Sequence, residues 1–579
     1  MFNTSEDSRQ TLTPRLELLL FGFATLIVIA SLFWMYFSNM YIIEDYNGEA
    51  MLTLTVVAYM KMAQQRGVPI REFLCKDLVF ENIKKEDPNA YHCPGKRFEV
   101  DYYVHVSPIM NMLYYPFIAL SGLNGKTIAN FSTTFFIAGL ILLAWLTWKI
   151  YDKWTVLVVI LFLMMSISWL IHLKVAYPGW MQGFFAYIGL AFVLDRYIHY
   201  LSRTMLVISG MILACLYNMA SLHSVMALLF ILMVIIIEGR CSIKGISIDL
   251  LTTGISFCFS VLFLVWLYSL MFGLSQADIH RTVLDGNTHR FTGGAVPQFP
   301  FSPGGKLWYL FKCTFIDSTT IDHPDKYLEG VPAISWFFSV FFGFGIFYAI
   351  RDRRDSDRLI LLWLASVFVA MCVYLYAPRY ALMGIPAMAI IAARGFMGTL
   401  SDFAQAKSRW ISFASVAAFI LMAGLSIRNV HNEFYGRYMH QKPFALDIDI
   451  FRGQYKFSEW LKSEINPETD LVVMSDPTTY PRACFTFYTF EKNYRFCYWM
   501  NYLPGLKSKE SVIEWEKQLL AKYKKVVFAF TTLMFSDYRT GAVINDPRLF
   551  IEAHPKLTPV FVYSYEKRAP SLIAFEITR

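Results

Sequence analysis

The stretch LELLLFGFATLIVIASLFWMYFSNMYIIEDYNGE (residues 16–49) decides the fold. From Leu16 to Tyr41 it is a single apolar run, long enough as a helix to cross a hydrocarbon layer of about 30 Å. The run gives way to Ile43-Glu44-Asp45-Tyr46-Asn47-Gly48-Glu49, so Asp45 lies where the chain leaves the membrane. At that interface a carboxylate loses little hydration and is placed to meet a lipid head group. If a helix starts near Tyr46, Asp45 and Glu49 stand one turn apart, and their repulsion raises the proton affinity of one of them. Asp45 is then a candidate general base. The alternative is structural: Asp45 or Asn47 caps an interfacial helix whose Glu49 is solvated.

Working outward, the 579 residues are 56% hydrophobic, 17% aromatic and only 17% charged, the composition of a polytopic α-helical membrane protein. Apolar windows long enough to span occur near residues 16–41, 127–148, 154–174, 179–198, 204–220, 222–238, 248–273, 333–350, 359–377, 380–398 and 409–427, eleven in all. The boundary at Ser221-Leu222-His223 and the breaks at Pro178 and Arg379 are the shortest. The polar N-terminal residues and the absence of a small-residue cleavage site argue for an uncleaved first span.

With the N-terminus inside, the inner loops carry Lys149 and Lys153, Arg196 and Arg203, Arg240 and Lys244, Arg351 with Arg353, Arg354 and Arg358, then Lys407 and Arg409. That agrees with the positive-inside rule. The net charge of +8 is used up in these scattered short loops, which excludes a nucleic-acid-binding face. Three long segments fall on the far side: residues 42–126, 274–332 and 428–579.

Within the first outer loop (42–126), Asp101 opens DYYVHVSPIMNMLYYP, and Lys96, Arg97 and His105 lie nearby. Cys75 and Cys93 in this loop, and Cys484 and Cys497 in the last segment, are spaced so that disulfides can form, each contributing about 3 kcal/mol. Both pairs, if closed, report an oxidising compartment. No cysteine falls in a CxxC or His-rich spacing, which argues against a cysteine metal site. Asp45, Glu49 and Asp101 can bind a divalent cation through oxygen, but their spacing is not diagnostic and no metal is assigned. The second outer loop (274–332) holds His289 and Arg290 before a Pro/Gly-rich run and an aromatic stretch, Lys306 to Ile316, suited to lying on the membrane surface. A loop this long can act as a lid.

The composition changes near Phe444 to that of a soluble α/β domain (431–579) of about 130 ordered residues. Helices are expected over 456–465 and 510–522, and strands over 470–475, 525–531, 559–565 and 571–577. The domain shows no Gly-rich phosphate loop, which favours acceptor docking or covering over catalysis. Neither a fixed-period repeat nor a pair of matching halves is present, against duplicated-bundle transporters.

An acidic residue opening the first outer loop, then His105-Val106-Ser107-Pro108 before Tyr114 and Tyr115, then Arg379-Tyr380 opening a late Pro-containing span, resembles the GT-C glycosyltransferases. Within them it is similar to the family of protein O-mannosyltransferases and lipid A aminoarabinose transferases. The similarity covers the layout of residues 1–430. The family usually pairs Asp directly with Glu and often has two adjacent prolines; here Tyr46 follows Asp45, Glu49 comes four residues later, and only Pro108 is present. The resemblance implies a polyprenyl-phosphate-linked sugar donor, an acceptor hydroxyl, transfer on the non-cytoplasmic face, and inversion. Asp45 would take the acceptor proton, its affinity set by Glu49 or Asp101. Cations would hold the leaving phosphate: Arg379 first, standing beside Pro378 and Tyr380, then His105, Lys96, Arg97, Lys174, His289 and Arg290. Snorkelling to solvent is the alternative for Arg379 and Lys174, and a solvated patch for Lys96 and Arg97.

Two other readings stand beside this one. A flippase or transporter of lipid-linked sugars needs ionisable groups at mid-span, and a glycan ligase or polymerase using a diphosphate lipid would share the topology. The Asn-x-Ser/Thr triplets at Asn3 and Asn130 fall in the inner tail and within a span, which favours a bacterial inner membrane with the active site facing the periplasm.

Overall fold

The computed structural model describes residues 21–23, 25, 26, 29, 30, 120, 125–166, 169, 180–219, 221–238, 242–272, 308, 311, 312, 314–316, 334–373, 383–404, 417, 420, 421, 424, 425, 427, 428, 456–474, 495–498, 508–531, 548–564 and 572–579. Helical residues occur in every one of the eleven apolar windows. The long helices are α1 (Gly125–Ile150), α2 (Lys153–Met164), α3 (Trp180–Tyr200), α4 (Arg203–Met219), α5 (Ser221–Ile237), α6 (Ile243–Phe272), α7 (Trp336–Asp352), α8 (Asp355–Val373) and α9 (Ile385–Ala404).

The turns between them are short and chemically specified. Asp152, between α1 and α2, accepts hydrogen bonds from the N–H groups of Trp154 (2.8 Å) and Thr155 (2.9 Å), an N-cap that restarts the helix. Leu201, with φ 45°, reverses the chain between α3 and α4. Arg353, with φ 50°, does the same between α7 and α8. On the two sides of the boundary expected at residues 221–223, α4 ends at Met219 and α5 begins at Ser221.

Two of these helices show which solvent the bundle faces. Among the described residues, Thr133–Ile150 and Ile243–Leu267 are long and apolar enough to cross a membrane, yet only 28% and 17% of their residues are buried. The core helix of a water-soluble protein would be mostly covered. On α6 the outward residues include Leu251, Ile255, Phe259, Leu262, Phe263 and Trp266. An apolar face this continuous matches lipid around it. The helices α2, α4 and α5 are apolar and shorter.

Inside, the bundle is packed by aromatic and small residues. Phe162 contacts Phe337 and Phe338, and Tyr187 stacks on Phe230 beside the fully buried Trp363. The closest helix crossing is α7 on α9. A methyl group added at Gly395 would strike the Phe341 carbonyl and the Gly345 backbone, and one at Gly345 would strike the Ile391 carbonyl. Without a hydrophobic drive between helices in lipid, such backbone contact supplies dispersion energy that larger residues would prevent.

Charged groups gather at the end of the bundle that holds the short basic turns. Arg394 of α9, its side chain 8% exposed, pairs with Asp352 at the end of α7 and lies 3.7 Å from Asp357 of α8. Asp357 also accepts from the Tyr151 hydroxyl. Around them, Arg351 bonds Asp352 (2.8 Å) and Asp402 (3.3 Å), and Tyr348 donates to Asp402 (2.6 Å). Farther round, Asp249 of α6 accepts from Tyr197 (2.7 Å) and from Arg203 (3.4 Å), and Arg358 approaches Glu238 (3.6 Å).

The C-terminal residues form a mixed five-stranded sheet. A helix over 456–464, here α10, precedes β1 (Asp470–Met474); β2 (Arg495–Tyr498), α11 (Lys509–Lys522), β3 (Lys525–Thr531), α12 (Arg548–Ala553), β4 (Phe561–Tyr563) and β5 (Leu572–Thr578) follow. Their order is β2-β1-β3-β5-β4, with β1 parallel to both neighbours and β5 antiparallel to both of its own. Alternation assigns the two faces. Leu471, Val473, Val526, Phe528 and Phe530 meet Val512, Trp515 and Leu519 of α11 and Phe550 of α12, while Val472, Val527 and Ala529 meet Phe457 and Leu461 of α10. Every helix and strand expected here is present, and β2 and α12 are additional. Ser508 caps α11 in a reciprocal pair with Ser511.

Candidate functional site

Met165 and Trp169 precede Lys174, and Ser335 N–H donates to the Met165 carbonyl at 3.1 Å. Ile334 N–H donates to the Thr314 carbonyl at 3.3 Å, tying the aromatic stretch of that loop to its end. Ser335 then caps α7, accepting from Phe338 N–H. Met383, four residues after Arg379, is held by the Trp363 indole, whose Nε1–H donates to its carbonyl at 2.9 Å.

Around these anchors the packing is tight. Phe136, near the middle of α1, lies 5.0 Å from the Trp169 ring and stacks on Phe184. His223 of α5 is buried and packs directly over Gly183 of α3, where any side chain at 183 would collide with the imidazole. Among the described residues, the Trp169 Nε1–H is buried with no hydrogen-bond partner. A buried donor of this kind costs free energy unless something accepts from it. Phe136, Met165, Trp169, Ile334 and Met383 share one packed core.

The candidate site residues themselves, Asp45, Glu49, Asp101, Lys96, Arg97, His105, Lys174, His289, Arg290 and Arg379, lie outside the described residues, as do Cys75, Cys93 and Cys484. The backbone of Cys497 forms part of β2, paired with Val473 of β1. Among the described residues no group of three or more His, Cys, Asp or Glu side chains is arranged to hold a metal ion.

From sequence, the cations near residues 351–358 mark topology only. The structure shows Arg351 and Arg358 paired to carboxylates, and adds Arg394, Asp249 and Asp357 as buried charges. A charge inside an otherwise apolar window, as at Arg394 and Asp249, is the signal that could have found them. In the C-terminal domain, Glu516 of α11 is nearly fully buried and bonds His554 Nε2 through both oxygens (2.8 and 2.7 Å). Burial pushes the Glu516 carboxyl above the usual glutamate range, and the His554 hydrogen bond pulls it part of the way back.

The described residues thus form an apolar helix bundle followed along the chain by an α/β domain. No family model and no curated protein matches the chain. Solved structures do match. One is ArnT from Cupriavidus metallidurans in the apo state, 10% identical, with 96% of this chain and 97% of that one covered and a TM-score of 0.44. The same protein bound to undecaprenyl phosphate is 11% identical, with 95% and 97% covered and a TM-score of 0.38. A third is the archaeal oligosaccharyltransferase AglB from Archaeoglobus fulgidus in complex with an inhibitory peptide and a dolichol-phosphate, 11% identical, with 79% of this chain covered and a TM-score of 0.45. The chain spans just under two thirds of that protein's length, 65%.

Proposed function

We propose that the chain is a membrane glycosyltransferase of GT-C type, with eleven spans, that moves a sugar from a polyprenyl-phosphate donor to an acceptor hydroxyl on the periplasmic face of a bacterial inner membrane. The observation that carries the reading is the place of Asp45, a carboxylate at the point where the first apolar run meets the outer loop. Asp45 takes the proton of the acceptor hydroxyl as that oxygen attacks the anomeric carbon from the face opposite the phosphate. The bond from the anomeric carbon to the phosphate oxygen breaks, and the configuration inverts. The phosphate leaves already ionised, so it needs cations and no general acid. Arg379 is assigned the first of these, with His105, Lys96, Arg97, Lys174, His289 and Arg290 as the remaining candidates. Glu49 and Asp101 set the proton affinity of Asp45.

The anchored loop roots support this assignment. A turn held at Met383 and a loop end held at Ser335 supply a rigid base from which cations can be positioned. The rival transport reading draws less support. Among the described residues, the buried Asp249, Asp357 and Arg394 and the half-buried Asp352 collect at the opposite end of the bundle, where Asp249 pairs with Arg203 and Arg394 with Asp352 and Asp357.

Asp45→Asn, assayed for single-sugar transfer from a polyprenyl phosphate with lipid flipping measured separately, tests the proposal. Transfer falls by about 10²- to 10⁴-fold while flipping is unchanged. Unaltered transfer removes the base assignment. Activity with a diphosphate donor alone selects the ligase or polymerase reading instead.

A further inference from the structure

A second site lies at the opposite end of the bundle from the proposed chemistry, on the outside of α1 and α3. Trp145 of α1 and Phe192 of α3 stack with ring centroids 4.4 Å apart. Over this pair stand two cations: Lys149 Nζ is 5.6 Å from the Trp145 ring, and the Arg196 guanidinium is 5.4 Å from the Phe192 ring. Arg196 also lies 5.8 Å from the Tyr200 ring and donates to its hydroxyl at 3.3 Å. Among the described residues neither Lys149 nor Arg196 forms a salt bridge, in contrast to Arg203, Arg351, Arg358 and Arg394 at the same end.

The nearest acid is Asp195, buried, within electrostatic reach of both cations and 3.6 Å from His199 Nδ1. One carboxylate for two permanent cations leaves the cluster positive. Directly along α1 from Lys149 runs an uncovered apolar ridge, Trp148, Trp145, Ile141 and Ile137. Cations at a membrane boundary continuous with an exposed apolar ridge match a molecule with an anionic head and a hydrocarbon tail.

We propose that Lys149 and Arg196 bind the phosphodiester head group of an anionic glycerophospholipid, with an acyl chain lying along the Ile137–Trp148 ridge of α1. The aromatic pair fixes the two cations side by side, so little side-chain freedom is lost when the phosphate arrives. This inference rests on the membrane reading of the bundle and is independent of the sugar-transfer reaction. Loss of the lipid site leaves Asp45-dependent transfer open to its own test.

The experiment uses the full chain in nanodiscs made from phosphatidylcholine with increasing phosphatidylglycerol, with lipid retained after extraction counted by native mass spectrometry. Wild type retains phosphatidylglycerol in preference to phosphatidylcholine. The preference falls about fivefold for each basic side chain removed, hence about 25-fold for K149Q/R196Q. The charge-keeping K149R/R196K variant reports on folding and keeps most of the preference. Lys244→Gln removes an exposed cation elsewhere at the same end and leaves the preference unchanged. Equal loss in Lys244→Gln and the double variant would show diffuse surface charge and overturn the site. So would a double variant that still prefers phosphatidylglycerol.

Discussion

The helix bundle and the C-terminal domain solve opposite solvation problems with the same amino acids. In the bundle, α6 turns Phe259 and Leu262 outward while Asp249, Asp357 and Arg394 are buried. In the domain, Phe528, Val526 and Leu471 are inside, and Lys509, Glu510 and Lys522 cover the helix that shields them. Polar groups are therefore an internal fastening in one region and a solvated surface in the other. Exposed phenylalanine means lipid in the first; in the second it would mean a partner or an error of folding.

Breaking the internal fastening of the bundle gives the largest expected effect. Arg394→Ala leaves Asp357, with its side chain 2% exposed, without its guanidinium. A buried charge stripped of its partner costs about 3–5 kcal/mol, to be read as a lower melting temperature of the full chain in detergent. A variant as stable as wild type would mean that the cluster is hydrated and the bundle more open than described here.

A matched pair of surface changes sharpens the contrast itself. Phe259→Lys, at a residue 72% exposed on α6, should cost about 2.5–3.5 kcal/mol of membrane insertion. Val562→Lys, at a comparably exposed position on the edge strand β4, should change stability by no more than about 0.5 kcal/mol. Glycosylation mapping reads the first and domain melting the second. Equal tolerance of the two lysines would erase the distinction between the regions.

The smallest effect is pH-dependent. Because burial raises the Glu516 carboxyl, the folded domain holds that proton more tightly than the unfolded chain does. Its contribution is complete below the ordinary glutamate range and is lost as pH rises through the raised folded value. Amide-exchange protection of α11 and α12 should fall over that window in wild type. It should stay flat in Glu516→Gln, whose side chain is neutral throughout and whose loss of a charged partner for His554 is worth ~1 kcal/mol. A parallel slope in both proteins would take the titration away from Glu516.

What could be read from the sequence follows the range of the interactions. The apolar windows and the strands at 470–474 and 525–531 declare themselves through local periodicity, and so does the joint at Ser221. The strand Arg495–Tyr498 is four residues long and alternates too briefly to be noticed; only its parallel pairing with β1 makes it a strand. The Arg394 cluster draws on Tyr151, Asp352, Asp357 and α9, and no window of sequence contains them together. For the candidate site, sequence supplies the residue types, Asp45 and Arg379 first, and the structure describes the neighbouring anchors at Ser335 and Met383.

The glycine contact between α7 and α9 carries one more implication. Where two backbones touch through Gly345 and Gly395, neither helix can roll on the other without driving carbonyl oxygens together. The two behave as one welded beam. Any hinge that a rocking carrier would use must lie elsewhere in the molecule.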